Sequence, residues 1–286
     1  MNRTKGFIFL TSAAFFFAFS GILPRVLNNY LPPFLSNTIR TFMVCLIILP
    51  IVFKRWKSIT KQDLPWIVAY TIASSMSFLF FYLSMTQIVV TTGLFIFYSI
   101  STIAGYILAK LFLNEKLTMP KIVSLLLSFV GILIIYQNSL VFSGSLFPVY
   151  FMVASGFLYG VTNLCIRKIG SNYPVSQLNI LYFATGSLIS LVLSQIVFRE
   201  AISGFTPISI LFLIIFAIVN LLATISLING FKNIDAQSGS IILLSEIPFG
   251  SIMAFLFFSQ IPTIPVLIGG AVILVSQLIP VLVKSR

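Results

Sequence analysis

Apolar runs of roughly 20 residues, each long enough to cross a hydrocarbon core about 30 Å thick, follow one another along the whole chain. Only short polar or Pro/Gly stretches interrupt them. Reading helices between those breaks places them at approximately 6–23, 33–53, 64–85, 88–113, 118–137, 145–166, 174–198, 206–230, 236–259 and 262–283. The connections are a few residues long, which makes successive helices antiparallel neighbours. The pattern predicts an all-α integral membrane protein of ten transmembrane helices.

Composition removes the soluble alternative. The 286 residues are 59% hydrophobic and only 8% charged, with a mean hydropathy of +1.11, against about 45–50% apolar residues in soluble domains. The start, "MNRTKGFIFLTSAAFFFAFSGIL", is basic like a signal peptide, but its apolar stretch is too long and has no clear small-residue cleavage site. It reads as a retained first span. Cys45 and Cys165 both fall within spans and the chain has no histidine, so neither a disulfide framework nor a metal site is expected, and no cofactor.

Ten spans put both termini on one side of the membrane. Every Lys and Arg other than Arg25, Arg40 and Arg199 falls on that side, so the positive-inside bias makes it cytoplasmic and fits a multi-pass protein of the plasma (inner) membrane. The same scatter of short-loop cations accounts for the net charge of +12 without a nucleic-acid partner. The partners to expect are the lipid bilayer and a small-molecule substrate, for a monomer or homodimer. Helices five and ten, poor in polar residues, suit the periphery or a dimer contact.

The chain also overlies itself. "LFLNEKLTMP" (111–120) matches "LFFSQIPTIP" (256–265) in Leu, Phe, Thr and Pro, and Arg25 with Pro32 overlies Arg167 with Pro174. The helix pattern of five then repeats, giving one half over 1–140 and a second over 141–286. Five is odd, so the second half crosses the membrane in the opposite sense, an inverted repeat of the kind that supports alternating access around a midplane site.

These residues carry a resemblance. "LNEKLT" (113–118), with Glu115 as the acid, is similar to the turn that closes the fourth helix of each repeat in EamA-type members of the drug/metabolite transporter superfamily. Its second copy, "FSQIPT" (258–263), puts Gln260 in place of the acid. "PPFLSNTIR" resembles that family's second helix, with Arg40 following Pro33, and "SEIP" its ninth, with Glu246 but with Pro248 one residue late. The resemblance implies two EamA-like five-helix repeats and a secondary transporter of small organic molecules. It does not name a substrate.

Glu246 sits about ten residues into helix nine, roughly 15 Å from the end, close to the midplane. An ionised carboxylate there must be paired, protonated or facing water. Two roles fit: a proton-coupling or cation-recognising acid, or a group that holds a helix kinked by Pro248. Arg40 either binds a substrate anion through its bidentate fork or snorkels outward as a structural or gating charge. Tyr159 and Asn163, Asn220 and Thr224, and Tyr98 and Thr102 are spaced i, i+4, each pair on one helix face. With Ser75 and Tyr82 on helix three, and Ser101, which the repeat sets opposite Glu246, they outline a candidate cavity. Ser and Thr in such helices also serve packing, so Asn163 and Asn220 are the sharper candidates. Asp235 suits the cap of helix nine, and Glu115 beside Lys116 the turn after helix four.

The function to expect is secondary active transport of a small organic metabolite by alternating access, possible coupling being to protons or to exchange. One midplane acid favours an amine, an amino acid or a nucleoside-like cofactor such as S-adenosylmethionine. A lipid or lipid-linked metabolite flippase and a non-transporting scaffold are the alternatives. Enzymatic chemistry lacks its parts: no histidine, no close pair of buried acids, no serine with a recognisable base.

Overall fold

The computed structural model describes residues 2–85, 87, 90–116, 118–136, 146–258 and 263–282. Among these there are helices and connections, and no strand. In hydrocarbon each backbone N–H and C=O must be satisfied within its own segment, and for one apolar stretch only a helix does that. The helices are α1 (Arg3–Leu27), α2 (Pro33–Arg55), α3 (Leu64–Met85), α4 (Val90–Leu113), α5 (Met119–Tyr136), α6 (Phe147–Ile169), α7 (Val175–Val192), α8 (Pro207–Asn233), α9 (Ala236–Leu243), α10 (Glu246–Phe258) and α11 (Ile264–Leu282). Eight apolar stretches of 18 residues or more span a membrane by length, α9 and α10 counting as one, and shorter apolar runs in α5 and α11 complete the ten.

Local chemistry sets several ends. Asn2 caps α1, its Oδ1 accepting from the Lys5 N–H at 3.1 Å. Thr206 and Ser209 form a reciprocal capping box ahead of α8. Proline stands in the first turn of α2, α6 and α8, where its missing N–H is not needed. α6 stops at Gly170, whose φ of 59° admits no ordinary side chain without strain.

The ninth span, expected as one helix over 236–259, is divided. Pro248 has no N–H to give the Leu244 carbonyl, which accepts instead from Ile247 at 3.0 Å in a tighter turn. Leu244 and Ser245 thus separate α9 from α10, and Glu246 becomes the first residue of α10. The seventh span ends in a π turn, Leu193–Val197.

The helices pair by a two-fold rule. α1 packs on α8 and, reciprocally, α3 on α6; α4 on α6 has its mate in α1 on α9 and α10; α2 on α7 and α5 on α11 are their own mates. Two inverted repeats interlock in this way, first helix of each half against third helix of the other. The divide expected at 140/141 lies outside the described residues. Helices five and ten pack on each other, Ser124 donating to the Ser276 carbonyl at 2.6 Å and Ser128 sharing a 2.7 Å bond with Ser276.

Without a hydrophobic drive between helices in lipid, small residues set how closely they approach. Gly156 and Gly160 face α4, where a Cβ on Gly160 would lie 2.7 Å from the Ala104 Cβ and one on Gly156 2.7 Å from the Phe97 carbonyl. Gly131 of α5 meets the Gly269 carbonyl of α11 in the same way. Large apolar side chains such as Phe53, Leu111 and Ile196 point outward from the bundle, as lipid contact requires. Gly160→Leu should wedge α4 from α6 and cost about 1–3 kcal/mol of stability. Thermal unfolding in detergent reads this, and a leucine variant as stable as the parent would contradict the close approach.

Candidate functional site

One cavity of about 670 Å³ of empty space, its mouth included, opens between the halves. α1 supplies Phe17, Ser20 and Gly21; α3 supplies Tyr70, Ser74, Ser77, Phe78 and Phe81; single faces of α4, α6, α7 and α8 add Phe97, Tyr159 with Thr162, Tyr182, and Thr224 with Leu227. Glu246 of α10 completes the wall. The α3 residues recur at helical spacing, so one face of that helix runs along the whole cavity.

The wall is aromatic and nearly without charge. Phe17 meets Tyr159 edge-on at 6.4 Å, Phe97 lies 5.1 Å from Tyr159, and Phe81 meets Phe97 at 5.1 Å. The serine hydroxyls are already committed: Ser20 to the Phe17 carbonyl at 3.0 Å, Ser74 to Tyr70 at 2.5 Å, Ser77 to Ser155 of α6 at 2.9 Å. Glu246 is the single formal charge in the wall and is 6% exposed. Opening a helix, it meets the positive end of the α10 dipole, which favours a carboxylate. Tyr98 and Tyr159 approach it from α4 and α6.

Arg40 lies behind the wall, fully buried. Its guanidinium donates to Asn220 Oδ1 of α8 at 2.5 Å and to Asn37 Oδ1 at 2.6 Å, and lies 4.3 Å from the ring centre of Phe78 and 4.6 Å from that of Phe216. Asn37 passes the chain on to Ser190 of α7 at 2.5 Å. Amide dipoles and two ring faces take the place of a carboxylate. Two of the groups that touch this arginine system, Phe78 and Tyr182, are also cavity wall.

Of the residues singled out in the sequence, Tyr159, Thr224 and Glu246 come together in the wall. The others are not part of the wall, though Tyr98 touches it through Glu246. Asn220 is taken by Arg40; Tyr82 shares a 2.7 Å bond with Ser36; Ser75 donates to the Tyr182 carbonyl at 3.0 Å; Ser101 donates to the Tyr98 carbonyl at 3.3 Å. Thr102 and Asn163 are buried between helices. In four cases the wall residue is the sequence neighbour: Ser74 for Ser75, Phe81 for Tyr82, Phe97 for Tyr98, Thr162 for Asn163. One residue turns a helical side chain by about 100°. The stripe Tyr70, Ser74, Ser77, Phe81 on α3 was the signal available in the sequence for this face.

At the cation-rich end of the bundle, Glu115 does more than finish the turn after α4. It reaches across to the other half and accepts from the Ala236 and Gln237 N–H groups of α9 at 2.9 and 3.2 Å. Asp235, the N-cap of α9, accepts from the Ser238 N–H at 3.0 Å and pairs with Lys121 at 2.9 Å. Burial pushes the Glu115 carboxyl above its ordinary value, against the two N–H bonds, and the Asp235 charge adds to the rise. Burial acts on Asp235 too, but Lys121 and the Ser238 bonds outweigh it and hold that carboxyl below the usual range.

The class is thus defined by the fold and the site: a polytopic membrane bundle of two inverted repeats around an aromatic cavity whose described wall holds a single carboxylate. The chain belongs to the EamA-like transporter family, whose model matches residues 4–137 and again 146–281. It is similar to an uncharacterized transporter of Clostridium kluyveri, 24% identical over 290 residues, covering 96% of this chain and 92% of the other. A solved crystal structure shares the fold, with a TM-score of 0.81 over 98% of both chains at 15% identity.

Two outcomes follow from this geometry. Arg40→Lys keeps the charge but loses the planar fork and the stacking, so it should destabilise by on the order of 2–3 kcal/mol, as breaking a buried charged network does; an unchanged melting temperature would sink the network. Asp235, with its folded pKa below the unfolded value near 4, contributes stability that is present above about pH 4 and lost as pH falls through the folded value. Asp235→Asn should therefore melt below the parent at pH 6–7 by on the order of 1 kcal/mol, with the gap closing in acid. A gap that widens in acid would reverse the sign.

Proposed function

We propose that this transporter carries a small organic cation or zwitterion, such as an amine, an amino acid or a nucleoside-like cofactor of the S-adenosylmethionine kind, by alternating access. The observation that carries the reading is the lone Glu246 carboxylate set in a wall of seven aromatic side chains. Ring faces attract cations, most strongly where water is excluded, and a buried carboxylate needs a positive partner or a proton. A purely anionic solute would meet that carboxylate with nothing in the wall to offset it, since Arg40 is already held by two amides. Glu246, Tyr159 and Thr224 contact the substrate in this scheme, and Glu246 exchanges the substrate for a proton or for a second cation.

The interlocked repeats support the alternating part, because a cavity between two inverted halves faces one side or the other as the halves rock. The cation-rich face, with both chain ends, is cytoplasmic and the membrane is the plasma (inner) membrane, from the positive-inside bias. Fusion of a reporter to either end, active only in the cytoplasm, tests that orientation.

Purified protein should be stabilised against heat by one class among amines, amino acids, nucleoside cofactors and organic anions, and proteoliposomes should take up that class. Glu246→Gln should reduce both effects by at least about tenfold while the fold persists, the loss of roughly one charge-assisted contact. Stabilisation by anions alone, or uptake untouched in Glu246→Gln, would overturn the proposal. Movement of a lipid-linked cargo with no uptake of soluble solutes would favour the flippase.

A further inference from the structure

The two faces of the bundle are fastened by the same device, built once from each half. On the cation-rich face, Glu115 in the connection after α4, a first-half residue, lies on the start of α9 in the second half, one oxygen on the Ala236 N–H and the other on the Gln237 N–H. On the opposite face, Glu200 in the connection before α8, a second-half residue, lies on the start of α2 in the first half. Its two oxygens accept from the Phe34 N–H at 3.2 Å and the Leu35 N–H at 2.7 Å. Each carboxylate satisfies two N–H groups that a helix start leaves without a partner, and each complements a positive helix end.

Each fastening has a second layer. Beside Glu200, the Phe198 ring stacks on Phe34 at 4.8 Å and 14° between planes, and the backbone at Gly204, φ 87°, presses against the Tyr30 carbonyl. Beside Glu115, Lys121 of the first half bonds Asp235 and the Gln237 Oε1 of the second, each at 2.9 Å. Rocking of the halves must separate one of these fastenings while the other serves as fulcrum. Each is a carboxylate with two backbone donors, and the cation-rich face adds Gln177 of α7, which exchanges hydrogen bonds with the Lys57 N–H and carbonyl at 3.0 and 2.7 Å.

We propose that Glu200 and Glu115 are the paired latches of the opposite and cation-rich gates, each of which must release its helix start for the cavity to open on that side. The inference rests on the alternating-access reading above. Glu115 is additionally linked to the site, because α9 leads directly through Leu244 and Ser245 into Glu246. A displaced α9 start therefore moves the wall carboxylate.

The test uses the full chain in sealed vesicles, with Cys45 and Cys165 replaced by alanine and a reporter thiol introduced as Ser74→Cys in the wall. A membrane-impermeant maleimide is offered from one face at a time. Glu200→Gln should raise the labelling rate from the opposite face by about fivefold or more and lower it from the cation-rich face; Glu115→Gln should do the converse. Phe198→Ala, which removes the stacking beside the Glu200 latch and leaves the carboxylate, should bias labelling in the same direction as Glu200→Gln, and carries the test if that variant fails to fold. Equal acceleration from both faces, or rates unmoved by all three variants, would overturn the latch assignment. A general loosening of structure would lower the melting temperature but not choose a face. Leakage of the maleimide straight through unsubstituted protein would instead remove alternating access itself, whatever the latches do.

Discussion

A full positive charge in the middle of an apolar bundle has to be accommodated before any other part of this fold can settle. Arg40 is accommodated by position: an amide oxygen from each of two helices accepts from its two terminal nitrogens, and its charge lies over two phenyl rings. That arrangement ties α2 to α3 and α8, and through Asn37 to α7. Because Phe78 is at once a ring beside the guanidinium and a ring of the wall, the shape of the cavity is inherited from the arginine site behind it. A charge that cannot move without leaving two amides unpaired is a rigid reference point for the helices around it.

Around that point the bundle divides its labour between close contact and open space. α4 against α6 and α5 against α11 meet through glycine and serine at distances that leave no room for a Cβ. The cavity wall mixes seven aromatic side chains with Ser20, Gly21, Ser74, Ser77, Thr162 and Thr224. The wall serines and threonines bond to carbonyls of their own or a facing helix, and the rest of the wall is mostly aromatic, with one carboxylate.

The two halves share a fold but not a site. Glu246 is in the second half, and the residue that the repeat sets opposite it, Ser101, bonds to its own helix. The inverted repeat governs the packing, in which each half sets its first helix against the third helix of the other, whereas the carboxylate in the described wall comes from the second half alone.

The spans, their number and the inverted duplication could be read from the chain because they follow from length and from the distribution of charge, which the bilayer enforces locally on each segment. The isolation of Glu246 was legible for the same reason, as an acid stranded in an apolar run, and the cavity wall contains it. The rotation of each helix about its own axis was not. With both lipid and protein neighbours apolar, hydropathy has no preferred face, and reading polarity alone selected Ser75, Tyr82, Tyr98 and Asn163, each one residue away from the cavity wall. Packing decided that rotation through Gly156, Gly160 and the arginine site. The reach of Glu115 to α9 and of Glu200 to α2 was also beyond the sequence, since residues 121 and 166 positions apart are joined only when the repeats interlock. Local segments answer to the membrane one at a time, whereas helix orientation and cross-repeat contacts exist only once all the helices are in place.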